Sequence, residues 1–336
     1  MLDGKKIKKV LITGIAGSGG SYLAEYLAAQ QPHVQIEGLY RGNDTKARQN
    51  LAKVWDRVKL YACDLREYRQ VLSAVQASNP DVIFHLASDA DVRASFEDPQ
   101  GVLNNNILGT CNLFEAVRVS GHKPVIQHCS TSEMYGQVDP KYVPIREDCP
   151  IQPTNPYAVS KAAQDFLAWT YFRSYGMPII RTRMFAYINP RRTNLFASAF
   201  ARQVARIEAG LQKELLHGNL DSVRTLIDVR DAMEAYWVAV LRCEPGEVYH
   251  IGGVKPVSVR EFLNLLIQKA KVPIPLRQDP ALLRPADVTL QIPDTTKFTK
   301  ASGWKPKISF EDSLEHLLEA WRGRVEQECG GQARKR

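Results

Sequence analysis

The chain has 336 residues, 44% hydrophobic and 24% charged, a globular balance with room for one large core or two modest ones. No run approaches the roughly 20 uninterrupted apolar residues of a membrane helix, and Met1-Leu2-Asp3-Gly4-Lys5-Lys6 leads toward a strand, not a signal segment, so the expected compartment is the cytoplasm. The 44 basic and 36 acidic side chains leave +8 without a basic block interleaved with aromatics, which argues against nucleic acid and for an anionic small substrate with a phosphate-rich cofactor.

Over the first 180 residues, β-branched runs alternate with amphipathic stretches, the rhythm of a parallel sheet covered on both faces. The pattern predicts strands at Lys9–Thr13, Val34–Leu39, Val58–Tyr61, Asp81–Leu86, Val125–Cys129 and Pro178–Arg183, with helices at Ser21–Ala29, Glu67–Ala77, Gly101–Val119 and Tyr157–Ser174. The fold class is therefore α/β, a Rossmann-type doubly wound parallel sheet in residues 1–184, with some later segments returning to it. After Phe185 the regularity weakens into the loop Asn189-Pro-Arg-Arg-Thr-Asn194, a helix at Phe196–Ala209 and the turn His217-Gly-Asn-Leu-Asp221, read as a smaller α/β substrate lobe over 185–325. Phe310, Leu314, Leu317, Leu318 and Trp321 form a helical stripe read as core packing, and residues 326–336 lack apolar anchors and read as a disordered basic tail. The six cysteines show neither CxxC nor Cys/His ligand spacing, so they read as free thiols with no metal.

Chemistry enters first at Val10-Leu-Ile-Thr-Gly14-Ile-Ala-Gly17-Ser-Gly-Gly20, three glycines at spacing three between a strand and a helix. Gly14, Gly17 and Gly20 allow a tight turn and close backbone approach to a pyrophosphate, whose charge is favoured at the helix start. Where NAD enzymes carry an acid for the ribose hydroxyls, this chain has Arg41, followed by Lys46 and Arg48, which suits a 2′-phosphate and favours NADP over NAD. Asp64 and Leu65 after the third strand are placed toward the adenine. Tyr157 and Lys161 stand four apart on one helix face, and an ammonium beside a tyrosine stabilises its phenolate.

With Tyr157-Ala-Val-Ser-Lys161 and Ser130-Thr-Ser-Glu-Met-Tyr-Gly136 in view, the chain resembles the extended short-chain dehydrogenase/reductase superfamily over nearly its full length. The latter motif, Gly19-Gly-Ser-Tyr-Leu-Ala-Glu25, Pro190-Arg-Arg192 and His217-Gly-Asn-Leu-Asp221 look like GDP-mannose 4,6-dehydratases. Arg224-Thr-Leu-Ile-Asp-Val-Arg-Asp231 and Leu283-Arg-Pro-Ala-Asp287 are at least as similar to the related GDP-4-keto-6-deoxymannose reductases. The resemblance implies a catalytic set of Thr131, Glu133, Tyr157 and Lys161, and contacts to a nicotinamide cofactor from Leu86, Tyr157 and Lys161, with a structural role beside the cofactor for His85, not that of an acid or base, and one of positioning sheet and helix for Asn106–Thr110. It also implies a GDP-hexose or other nucleotide sugar held by Asn189, Arg191, Arg224 and Arg284, and a homodimer or homotetramer, with Arg41–Arg48 resembling a shortened form of a tetramer-building loop. In such a site Tyr157 takes the C4 hydroxyl proton, Thr131 supports the C4 oxygen, and Glu133 removes the C5 proton and assists departure of the C6 hydroxyl as water. Two stretches depart from the pattern. Phe185-Ala186-Tyr187-Ile188 stands where the dehydratases read Phe-Asn-His-Glu, and Thr225-Leu-Ile-Asp228 replaces an Asp-Trp-Gly stretch. The alternative activities are a 4-keto reductase, a 4-epimerase and, more distantly, a non-catalytic NADP-binding module.

Overall fold

The computed structural model describes residues 2–283 and 289–333. The first half runs β1 (Lys9–Thr13), α1 (Ser18–Gln30), β2 (Gln35–Tyr40), α2 (Asp44–Leu51), β3 (Val58–Ala62), α3 (Tyr68–Ser78), β4 (Val82–His85), α4 (Val92–Glu97), α5 (Pro99–Leu103), α6 (Gly109–Ser120), β5 (Val125–Thr131), α7 (Pro156–Tyr175) and β6 (Ile179–Met184). The second half runs β7 (Tyr187–Ile188), α8 (Phe196–Glu208), β8 (Leu215–His217), β9 (Val223–Thr225), β10 (Ile227–Asp228), α9 (Val229–Arg242), β11 (Val248–Ile251), β12 (Pro256–Ser258), α10 (Val259–Gln268), β13 (Leu276–Gln278), β14 (Leu290–Gln291), α11 (Thr296–Ser302) and α12 (Phe310–Ala333).

Among the described residues the central sheet has seven strands in the order β11-β6-β5-β4-β1-β2-β3, every pair parallel. Strands such as Val82–His85 and Ile179–Met184 are buried along their whole length because helices cover both faces. One face packs α1 and α9 over Val10, Ile12, Phe84, Tyr236 and Trp237, and the other packs α3, α6 and α7 over Leu11, Ile83, Leu113, Phe114 and Ile126. The chain leaves β1 toward one side and returns through β4 on the other, so the order reverses beside β1. The carboxyl ends of the strands open a crevice there.

A second core joins α8, α10 and α12 through Phe200, Val204, Phe262, Leu266, Leu314, Leu317, Leu318 and Trp321. The stripe predicted on the last helix is thus buried, each large side chain contributing on the order of 1.5–3 kcal/mol relative to exposure. Two elements differ from expectation. The helix expected over 101–119 is interrupted by a π turn at Asn104–Leu108. The Asn106 carbonyl there accepts hydrogen bonds from Gln164 Nε2 at 2.9 Å and Thr110 Oγ1 at 2.7 Å, so the broken ladder is satisfied by side chains. The tail expected from residue 326 is helical through Ala333, because α12 continues past Val325, which packs into the second core. Among the described residues no helix is long and apolar enough to cross a membrane.

Candidate active site

A continuous groove of about 1430 Å³ runs across the carboxyl ends of the sheet and on under the second lobe. That exceeds the roughly 300–1,000 Å³ of a typical single-ligand pocket, so it has room for two ligands end to end.

The glycine turn forms its floor. Gly14 has φ +69°, and a Cβ there would sit 2.9 Å from Ala87 Cα. At Gly20 a Cβ would meet Gly14 O at 2.4 Å, so only glycine lets α1 pack this close to the turn. Gly17 is the N-cap of α1 and supplies no side-chain cap, which leaves the first N–H groups of the helix pointing at the groove. These features fit a dinucleotide pyrophosphate, and Leu65 and Leu86 line the same channel.

β5 ends at Thr131, and the chain turns at once into the single 3-10 turn Ser132–Tyr135, with Thr131 Oγ1 accepting the Glu133 N–H at 3.3 Å. α7 begins one residue before Tyr157 because Asn155 Oδ1 caps the Ala158 N–H at 2.8 Å and Pro156 takes the first position. Tyr157 and Lys161 are both buried, at 6% and 4% exposure, and face the groove together with Thr131 and Glu133. The four residues expected to act are therefore brought to one wall.

The electrostatics refine the expectation for the tyrosine. Burial pushes the Tyr157 phenol up to about 12, against a downward pull that comes first from the Arg192 guanidinium and includes a hydrogen bond with Thr131. Burial lowers the Lys161 ammonium to about 8, and its Nζ donates to the Cys129 carbonyl at 2.6 Å. The cation acting first on the phenol is thus Arg192, which the sequence reading passed over as the second arginine of Pro190-Arg-Arg. Its Nη2 donates to Ala90 O at 2.8 Å, spanning the groove from the loop after β7 to the loop after β4. Asn106 braces this wall, donating from Nδ2 to Ser160 Oγ at 2.8 Å and to Asp89 O at 3.0 Å. His85 lies beneath the groove, between Thr13 Oγ1 and Thr110 Oγ1 at 2.8 Å each, and burial lowers its imidazole to about 3. It is a neutral structural group, not an acid or base.

Several expected contacts fall elsewhere. Asn189 is 2% exposed and spends its amide on Ser18 O at 3.1 Å and its carbonyl on the Arg191 N–H at 2.9 Å, tying its loop to α1. Arg191 reaches the edge of the groove, but its guanidinium pairs with Glu25, bonds Ser21 Oγ at 3.0 Å and lies over the Tyr22 ring. Asp64 pairs with Arg66 at 2.6 Å and does not line the groove. Arg41 does line it, and its Nη2 meets Asp89 Oδ1 at 2.8 Å. Arg224 lines the groove, donating to Val223 O at 2.9 Å, while Asp228 is taken by Arg230 at 2.8 Å. Arg284 lies outside the described residues. Gln291, which no motif signals, also lines the groove, and its Nε2 donates to Glu133 Oε1 at 3.1 Å. Among the described residues no group of three or more His, Cys, Asp or Glu could hold a metal, and all six cysteines are free.

Comparison with known proteins accounts for this assembly. The GDP-mannose 4,6 dehydratase family model matches residues 11–317. The chain is 31% identical to the GDP-6-deoxy-D-mannose reductase of Pseudomonas aeruginosa, covering 96% of this chain and 99% of the relative. It is 30% identical to the GDP-mannose 4,6-dehydratase of Yersinia enterocolitica, covering 93% of each. The solved structure of RMD from Pseudomonas aeruginosa complexed with NADPH superposes with a TM-score of 0.81 at 30% identity, covering 94% of this chain and 99% of that one. A family match over nearly the whole chain and relatives of about 30% identity at this coverage place it plainly: the chain belongs to the GDP-mannose 4,6-dehydratase family of extended short-chain dehydrogenases/reductases.

Proposed function

We propose that the protein is an NADP-dependent sugar-nucleotide 4,6-dehydratase that converts GDP-mannose to GDP-4-keto-6-deoxymannose. The observation that carries this reading is the Glu133 carboxylate held on the same wall as Thr131 and Tyr157. A plain alcohol oxidation at C4 needs the tyrosine alone. A second base on that wall suits removal of the proton that the new ketone makes acidic at C5.

When bound, NADP supplies the two-electron store for oxidation at C4 and reduction at C6. Tyr157 accepts the C4 hydroxyl proton, with Arg192 and the Thr131 hydroxyl offsetting the cost of a buried phenolate. Lys161, lowered to about 8, still carries its proton at neutral pH and adds a second cation to the wall. Glu133 takes the C5 proton and passes it to the departing C6 hydroxyl, which leaves as water, and C5 regains a proton when C6 is reduced, equal to the one that Tyr157 took from the C4 hydroxyl. C4 is then oxidised and C6 reduced, with no net change in cofactor. Arg224, which lines the groove, is the residue proposed to hold the substrate diphosphate, since a guanidinium fork matches phosphate oxygens. Arg41 at the end of β2 favours the 2′-phosphate of NADP over NAD. The face of α7 opposite the groove carries Val159, Phe166 and Trp169 at 43%, 53% and 42% exposure, an apolar strip suited to a homodimer.

Incubation with GDP-mannose and catalytic NADP tests the activity by mass spectrometry. The expected product has lost one water without net NADPH consumption. Stoichiometric use of NADPH on a 4-keto sugar would establish the reductase instead, and an isomer of unchanged mass the epimerase. Tyr157→Phe should abolish turnover while keeping cofactor binding, an effect a non-catalytic binding module would not show.

A further inference from the structure

Glu133 sits on the four-residue turn Ser132–Tyr135. Its hydrogen-bond donor comes from 158 residues away, where Gln291 Nε2 approaches Oε1 at 3.1 Å. A carboxylate only accepts, so the amide nitrogen is the end of Gln291 that faces it. Gln291 is 3% exposed, on a two-residue strand whose register sets it opposite Arg224 of β9.

The segment 289–294 is stitched along the chain that follows the Glu133 turn. Gln137 Nε2 donates to Thr289 Oγ1 at 2.8 Å while Gln137 Oε1 accepts the Thr289 N–H at 3.0 Å. Ile145 N donates to Ile292 O and Asp294 N to Ile145 O, both at 2.7 Å. β14 is therefore a strap, bonded on one side to the strand that carries Arg224 and on the other to the segment that carries Glu133. Backbone bonds to Val223 and Ile145 hold the strap, Gln137 adds side-chain bonds at one end, and the Gln291 amide donates to Glu133.

We propose that Gln291 is a positioning residue for Glu133. Its amide holds Oε1 and leaves Oε2 for the substrate. This rests on the dehydratase reading, in which Glu133 removes the C5 proton. C4 oxidation precedes that step and does not need it, so removal of the amide stalls the reaction after the cofactor has been reduced.

The test compares Gln291→Leu and Gln137→Leu with the wild-type full-length chain on GDP-mannose. It reads kcat, KM, solvent deuterium incorporation at C5 and the absorbance of reduced nicotinamide during one turnover. For Gln291→Leu, loss of a hydrogen bond to a charged group should lower kcat by about 10- to 100-fold. KM should stay within about threefold, deuterium incorporation should slow in step with kcat, and reduced nicotinamide should accumulate. Gln137→Leu removes only the side-chain bonds to Thr289, leaves the strap's backbone bonds to Val223 and Ile145 in place and does not touch Glu133, so it should keep kcat within about twofold. Should Gln291→Leu fail to fold, the isosteric Gln291→Glu replaces the donor with like charge and is expected to show the same selective loss. The proposal is overturned if kcat is retained, if nicotinamide reduction falls together with elimination, or if Gln137→Leu is equally impaired. A wild-type protein that releases no water refutes the dehydratase reading, and this proposal with it. A wild-type protein that does so beside an unaffected Gln291 variant refutes the positioning role alone.

Discussion

Arg41→Ala isolates the group that should read the cofactor's 2′-phosphate. In the protein alone, Arg41 Nη2 rests on Asp89 Oδ1 at 2.8 Å, with the two side chains 58% and 32% exposed. A pair so open to water is worth about 1 kcal/mol at most, whereas a guanidinium bonded to a phosphate gains about 1.5–3 kcal/mol. On the proposed NADP reading, a 2′-phosphate would displace Asp89 with a net gain of about 0.5–2 kcal/mol. Arg41→Ala should weaken NADP by about 2- to 30-fold and leave NAD nearly unchanged. Asp89→Asn removes the competitor without loosening its loop, because Asn106 holds the Asp89 backbone through both N–H and carbonyl, at 2.8 and 3.0 Å. That variant should tighten NADP by about two- to fivefold. Calorimetric titration of both cofactors at two salt concentrations measures each effect, and the NADP difference should shrink as salt rises. Equal weakening of NAD and NADP in Arg41→Ala, or weaker NADP binding by Asp89→Asn, would refute the assignment.

Two further outcomes follow from buried and exposed faces of the fold. Burial, reinforced by Arg183, lowers His250 to about 3, and its Nε2 is met by Tyr135 Oη at 2.6 Å. An unfolded histidine titrates near 6.5, so between those values the unfolded chain binds the extra proton, and stability is lost as pH falls through that window. At pH 4.5 the contribution is about 3 kcal/mol, which should be missing from the pH dependence of urea unfolding in His250→Gln; identical slopes in variant and wild type would contradict it. On the outer face of α7, Phe166→Glu combined with Trp169→Glu should convert a sedimenting dimer to monomer with the fold intact, and an unchanged sedimentation coefficient would exclude that face as the interface.

The residues by themselves determined what depends on neighbours in sequence. The strand-glycine-helix turn at Thr13–Gly20, the strand ending at Thr131 and the helix bearing Tyr157 and Lys161 are set by local period, by backbone freedom at glycine and by the Asn155 cap. Each is legible within a few residues. The tertiary structure alone decided which side chains of a legible motif face the groove. Asn189 and Arg191 are consumed by Ser18, Ser21 and Glu25 on α1, and it is the adjacent Arg192 that turns toward Tyr157. It also decided that α9 and β11 return to the central sheet, that the helix over 101–119 breaks where Gln164 can satisfy Asn106, and that Gln291 meets Glu133. Each of these depends on a pairing between segments tens to more than a hundred residues apart. Such partners are chosen by burial and charge in three dimensions, and no spacing along the chain encodes them.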